Sequence, residues 1–158
     1  MQRVLIIGAY SAIAEAVARE YARRGAALFL VGRSAQRLDT VAADLRTRGA
    51  ARVAVFALDL NDIGAHATML DAAQTELGGL DVILIAHGSL PRQTDCDASV
   101  QTSLAEFSTN GTSAIALAIG LVPRLRNGAT LAVISSVAGD RGRASNYLYG
   151  SAKAAVLA

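Results

Sequence analysis

Five short aliphatic runs recur along the chain, each bounded by glycine, aspartate or serine: RVLIIG, ALFLVG, ARVAVFAL, DVILIA and ATLAVIS. A half-exposed antiparallel strand alternates apolar and polar residues, whereas a strand covered on both faces is apolar throughout. The runs therefore predict a parallel sheet buried on both sides. Segments with helical spacing lie between them: Ile13, Val17 and Tyr21; Leu38, Val41, Ala42 and Leu45; Ile63, Leu70 and Leu77; Val100, Leu104 and Phe107. Gly25, Gly49 and the pair Gly78 and Gly79 follow three of those segments, where a left-handed residue ends a helix, and Ser34 precedes another as an N-cap. Strand and helix alternate from the first residue, which predicts one doubly wound α/β domain over residues 1–158 with helices on both faces of the sheet.

One pattern is interrupted. Ser108 to Ser113, STNGTS, are six poor helix formers between the helical Val100 to Phe107 and the apolar Ile115 to Val122. A loop joining two helices and a distorted turn inside one long helix fit this stretch equally.

Composition narrows the chemistry. Hydrophobic residues make up 53% of the chain and aromatics only 4%, which describes an aliphatic core rich in alanine. The formal charge of +2 comes from scattered arginines with no run of like charge, a pattern that argues against a nucleic-acid or membrane surface. The longest apolar stretch, AIALAIGLV from Ala114 to Val122, is too short to span a bilayer, and MQRVLIIG lacks a signal-peptide cleavage site. A cytoplasmic protein is expected. Cys96 is the only cysteine, so no internal disulfide and no cysteine metal site is expected.

The remaining polar exceptions fall at the carboxyl ends of the strands, the edge where open α/β sheets bind ligands. The first strand runs into GAYSAIA, where Gly8 permits a tight turn and the following helix start, with Ser11, Ala12 and Ile13, offers amides to a pyrophosphate. Ala12 and Ala14 occupy positions where further glycines would allow closer approach. Arg33 after the second strand carries a planar fork suited to a 2′-phosphate, and Gly32 supplies no carboxylate for an unphosphorylated ribose. Asp59, beside Leu60, could accept a bond from an adenine amino group or cap a helix beginning near Asn61. His87 and Gly88 follow Ala86 after the fourth strand, and Ser135 and Ser136 close the fifth.

In YLYGSAK, Tyr149 and Lys153 are four residues apart and share one helical face, while Tyr147 points elsewhere. A phenol ionises near pH 10, and an ammonium group one turn away stabilises a phenolate, so such a pair can give a proton to a carbonyl or take one from an alcohol. A nearby serine hydroxyl can bond the same oxygen as charge develops on it.

Taken together, the turn at Gly8, ISSVAG and the Tyr149/Lys153 spacing resemble the short-chain dehydrogenases/reductases, with a Rossmann-type sheet. The resemblance implies a catalytic serine thirteen residues before the tyrosine, which is Ser136, and a catalytic asparagine, Asn110, whose main-chain carbonyl holds a water linking Lys153 to solvent. It assigns cofactor contacts to Gly8, Ser11, Ala12, Ile13, Arg33, Asp59, Leu60, Ala86, Gly88, Tyr149 and Lys153, with NADP(H) preferred and NAD(H) possible. Two departures stand out: the glycine-rich turn is reduced to Gly8, and the family's Asn-Asn-Ala-Gly reads Ile85, Ala86, His87, Gly88. The run SSVAGDRGRASNYLYGSAK also resembles the branch that reduces polyprenyl-phosphoryl ketopentose, with Arg141 and Arg143 as phosphate contacts.

The expected activity is NADPH-dependent reduction of a keto sugar or other polar ketone by a homodimer or homotetramer, with a small-molecule carbonyl or alcohol as substrate and no metal. A non-catalytic dinucleotide sensor and a sugar-nucleotide epimerase or dehydratase are the alternatives. The family places two more strands beyond the free side of ATLAVIS, so these residues are expected to be the N-terminal part of a longer polypeptide whose remainder adds strands, a substrate lid and part of an oligomer interface.

Overall fold

A computed structural model describes residues 1–158. The aliphatic runs form five parallel strands, β1 (Arg3–Ile7), β2 (Ala27–Gly32), β3 (Arg52–Ala57), β4 (Val82–Ile85) and β5 (Thr130–Val133), in the order β3-β2-β1-β4-β5. Their register aligns Ile7 with Val31 and Ile85, and Ile85 with Val133, so the strands end along one edge. The chain order reverses between β1 and β4, which opens a crevice at that edge.

The period-2 geometry of a strand divides each run between two cores. Val4, Ile6, Leu28, Leu30 and Leu84 face α1 (Ala12–Arg23) and α2 (Ala35–Thr47). Leu5, Ile7, Phe29, Val31, Ile83 and Ile85 face the opposite layer, built from α3 (His66–Leu77) and the helical segment that includes Leu117 and Leu121. Both faces of the central strands are therefore dry, as the continuous apolar runs require. Ser34 caps α2 by accepting from the Arg37 amide, and Gly78 ends α3 in the left-handed region at φ 71°. Strand β5 lies at the edge and alternates exposed and half-buried residues.

Three periodic patterns read differently in three dimensions. On α1 the buried face is Ala14, Ala18 and Ala22; Ile13 is exposed, and Val17 and Tyr21 sit at the margin of the core. Small residues at that spacing let the helix axis approach the sheet, and larger side chains are displaced to its flanks. The helix after Asp59 starts later than Asn61: a 3-10 turn, Ile63–Ala65, leads into α3, with Ile63 exposed. Val100 and Leu104 of α5 (Val100–Phe107), which follows the short α4 (Gln93–Asp97), point to solvent instead of the core.

STNGTS is no loop. Ser108–Thr112 form one π turn that joins α5 to α6 (Ser113–Leu121) without leaving helical dihedrals. Gly111 makes this turn a contact surface: a Cβ there would lie 3.2 Å from the Ala152 carbonyl oxygen of α7 (Tyr147–Leu157), so α7 packs directly on the turn.

Candidate active site

The crevice at the strand ends is a cleft of about 250 Å³ walled by Gly8, Tyr10, Ser11, Gly32, Arg33, Arg37, Asp59, Leu60, Asn61, Ala86, His87, Gly88 and Thr109. Of the residues anticipated from the sequence, Gly8, Ser11, Arg33, Asp59, Leu60, Ala86 and Gly88 come together here, whereas Ala12 and Ile13 on the first turn of α1, Ser135 and Ser136 after β5, and Tyr149 and Lys153 of α7 stand outside these walls. Ser11 caps that turn by accepting from the Ala14 amide at 3.2 Å, which leaves the amides of Ala12 and Ile13 without helical acceptors. Gly8 adopts φ 86°, and a methyl group on it would sit 2.5 Å from the His87 nitrogen. Glycine is required there because the β1 and β4 loops touch through backbone.

Tyr10 organises the opposite wall. Its hydroxyl accepts from the amides of Arg33 at 2.7 Å and Ser34 at 3.2 Å, and its ring lies against Gly32, where any Cβ would be 2.5 Å from the ring. The Arg37 guanidinium stacks 4.0 Å from the centre of the same ring. Neither Arg33 nor Arg37 is paired with a carboxylate. Asp59 accepts from the Asn61 amide at 3.0 Å, so its carboxylate shapes the turn before the 3-10 segment, and Asn61 in turn donates to Thr109 Oγ1 at 2.8 Å across the cleft.

Gly88 links this cleft to the second cluster. A Cβ at Gly88 would lie 3.0 Å from Asn110 Oδ1 and 3.5 Å from Lys153 Nζ. Asn110 and Lys153 are both buried, at 1% and 4% exposure. Lys153 donates to the Ile134 carbonyl at 3.3 Å and lies 5.7 Å from the centre of the Tyr149 ring. Burial lowers the Lys153 pKa from its ordinary value. Ser135 is turned toward α7, donating to the Lys153 carbonyl at 3.4 Å, whereas Ser136 Oγ accepts from the Ala138 amide at 3.2 Å and keeps its own hydrogen free. Close backbone packing holds this corner: a Cβ on Gly139 would fall 2.9 Å from the Ala154 nitrogen, and one on Gly150 would fall 2.7 Å from the Ala138 oxygen.

The two tyrosines separate as their spacing predicts. Tyr147 donates to Asp97 at 2.7 Å, and that bond to a carboxylate raises its pKa. His87 takes a structural partner, with Nε2 2.7 Å from Ser113 Oγ, and burial, Lys153 and His66 push its pKa down to about 4. It is a neutral imidazole at the wall of the cleft. Tyr10, Arg37, Asn61 and Thr109 escaped the sequence reading, because an aromatic beside a glycine turn and an arginine one turn into a helix carry no spacing that distinguishes them from surface residues.

The sequence model for short chain dehydrogenases matches residues 2–158. An uncharacterized oxidoreductase of Mycobacterium tuberculosis is 35% identical over 153 residues, which cover 96% of this chain and 61% of the relative. An uncharacterized oxidoreductase of Streptomyces coelicolor is 32% identical over 154 residues, with the same shares covered. Among solved structures, a mutant of a Serratia marcescens short-chain dehydrogenase/reductase shares the fold with a TM-score of 0.89 at 21% identity, over 99% of this chain and 64% of the other. The chain spans about three-fifths of the length of these curated relatives. A match that begins at residue 2 and runs to residue 158, on a sheet of the same topology, makes the chain a member of the short-chain dehydrogenase family of NAD(P)-dependent oxidoreductases.

Proposed function

We propose that the chain carries the cofactor cleft and the reacting groups of an NADPH-dependent carbonyl reductase, which converts a polar ketone to an alcohol and runs the reverse oxidation with the same groups. The observation that carries this reading is the division between the tyrosines: Lys153 lies over the Tyr149 ring, while Tyr147 is held by Asp97.

The bare glycines at 8, 32 and 88, the uncapped amides at the start of α1 and the unpaired guanidinium groups fit a phosphorylated dinucleotide. Arg33 would grip the 2′-phosphate through charge-assisted bonds, with Arg37 beside it. Leu60 and Asp59 would wall the adenine end, and Ala86 and Gly88 the inner end, with Tyr149 and Lys153 at the nicotinamide ribose. When bound, the reduced cofactor supplies a hydride to the carbonyl carbon. Tyr149 gives its phenolic proton to the carbonyl oxygen, so that one hydride and one proton complete the alcohol. Ser136 donates to that oxygen with the hydrogen its bond to Ala138 leaves free. The Lys153 ammonium compensates the phenolate left behind, and Asn110 in the π turn leads its proton path toward solvent.

Arg141 and Arg143, exposed on the loop before α7 and outside any ion pair, favour a keto sugar or another polar or anionic ketone. Exposed Val100 and Leu104 of α5, Ile119 of α6 and Val122 just after it support association with further copies of the chain, and cytoplasmic residence belongs to the same reading. The test is NADPH oxidation, followed at the nicotinamide absorbance against a panel of polar ketones. Tyr149→Phe is expected to lower kcat by about 100-fold or more while NADPH affinity stays within about twofold. Unchanged turnover in that variant would remove the assignment.

A further inference from the structure

Asn110 is held by more bonds than a helix residue needs. Its Oδ1 accepts from the Ser89 amide at 3.0 Å, and its Nδ2 donates to Ser89 Oγ at 3.0 Å, to the Glu106 carbonyl at 3.0 Å and to the Glu106 carboxylate at 3.4 Å. Ser89 closes the ring by donating its hydroxyl hydrogen to Glu106 Oε2. The orientation of the amide follows from this pattern. Were it flipped, the NH2 group would face the Ser89 N–H, and the oxygen would face a carbonyl and a carboxylate.

The ring also ties together three elements. Ser89 lies on the loop after β4, next to Gly88 at the inner end of the cleft; Glu106 lies in the last turn of α5; Asn110 lies in the π turn. In the π turn the Ser113 amide bonds the Ser108 carbonyl, five residues back. The Glu106 carbonyl, in the last turn of α5, also accepts from the Asn110 side chain four residues on, a bond that spans the junction between α5 and the π turn. The turn is thereby stabilised at the place where Gly111 meets Ala152, one residue before Lys153. Ser89 and Glu106 are only half-buried, so their side chains add little to the core beyond the bonds they give the buried Asn110 amide.

We propose that Ser89 and Glu106 are positioning residues: by locking the Asn110 amide they hold the π turn in register with the Lys153 turn of α7. This rests on the reductase reading above, in which Asn110 and Lys153 share a proton path. The carboxylate receives charge-assisted contacts from both partners, and an apolar residue at position 106 would leave the Ser89 hydroxyl without its acceptor and so loosen the group that holds the Asn110 amide.

The experiment compares Glu106→Ala, Ser89→Ala, Glu106→Gln and Asn110→Ala in the full chain by two readouts. One is kcat and KM for NADPH in ketone reduction. The other is hydrogen exchange of the Asn110 side-chain amide by nitrogen-15 NMR in the three variants that retain it. Glu106→Ala and Ser89→Ala are expected to lower kcat about tenfold with KM for NADPH within about twofold, and to speed exchange of the Asn110 amide. Glu106→Gln, which still offers Oε1 to the Ser89 hydroxyl, is expected to recover most of the loss. Loss at Asn110→Ala with wild-type kcat and a protected amide in Glu106→Ala would overturn the positioning role alone. Parallel losses in kcat, NADPH affinity and melting temperature, without rescue by Glu106→Gln, would also overturn it by showing a structural role. Full turnover in Asn110→Ala would overturn the proton-path reading itself.

Discussion

The contact between the β1 and β4 loops can be tested at Gly8. Gly8→Ala adds one methyl group that meets the His87 nitrogen at 2.5 Å, the His87 Cα at 2.7 Å and the Ala86 carbonyl carbon at 2.9 Å. All three are backbone atoms, so no side chain can swing aside. The residue also sits at φ 86°, a conformation that costs an L-residue about 1–2 kcal/mol. Overpacking of a rigid contact adds about 1–3 kcal/mol, giving a total of roughly 2–5 kcal/mol. For a domain of this size each kcal/mol moves Tm by about 2–4 °C, so Gly8→Ala should melt roughly 5–15 °C lower. Gly25→Ala is the matched control, because Gly25 has φ 71° with nothing within 4 Å of its added Cβ. It carries the dihedral cost alone and should lose only about 1–2 kcal/mol. Far-UV circular dichroism melts measure both, and NADPH titration of the same samples reports the cleft. Gly8→Ala should also bind NADPH about tenfold more weakly, since both loops wall the site. Equal melting temperatures for the two variants would show that the loops yield and that their backbone contact does not require glycine at position 8.

Replacing Arg33 with alanine should weaken NADPH binding about tenfold or more and leave NADH nearly unchanged, with Arg37→Ala giving a smaller loss of the same kind; an equal loss for both cofactors in a titration would make these arginines structural. Tyr147→Phe removes a bond to an exposed carboxylate and should keep kcat within about twofold, so collapse of turnover in that variant would contradict the role of Tyr149. His87 has its pKa lowered from 6.5 to about 4, so the stability it contributes is present above about 6.5 and is lost as pH falls toward about 4. That shift corresponds to an upper bound of about 3 kcal/mol. Urea melts between those pH values should show a shallower acid loss in His87→Gln than in wild type, and identical slopes would exclude His87 as the cause.

Local pattern was enough for the elements and for the order of chemistry along the chain. Continuous apolar runs announced the strands, though only β1, β2 and β4 are covered on both faces and the edge strands β3 and β5 stay partly exposed, and Gly25, Gly49 and Gly78 marked helix ends because each needs a positive φ, at 71°, 104° and 71°. The four-residue spacing of Tyr149 and Lys153 chose one tyrosine over its neighbour by helix geometry alone. What periodicity could not decide was which apolar face meets the sheet. Alanines line the buried side of α1 because the distance between helix and sheet selects small residues there, and Val100 and Leu104 face outward because α5 is oriented by its packing on α4 and α7. STNGTS could not be read as loop or helix from propensity, since its surroundings include Ser89, which bonds Asn110 from twenty-one residues earlier, and the close approach of α7 to Gly111. The same holds for Tyr10 over Gly32 and for His87 against Ser113, pairs separated by 22 and 26 residues. Such contacts exist only after the strand ends converge, because hydrogen-bond and packing energies depend on distance in space, which the spacing of residues along the chain does not encode beyond a helical turn or a strand.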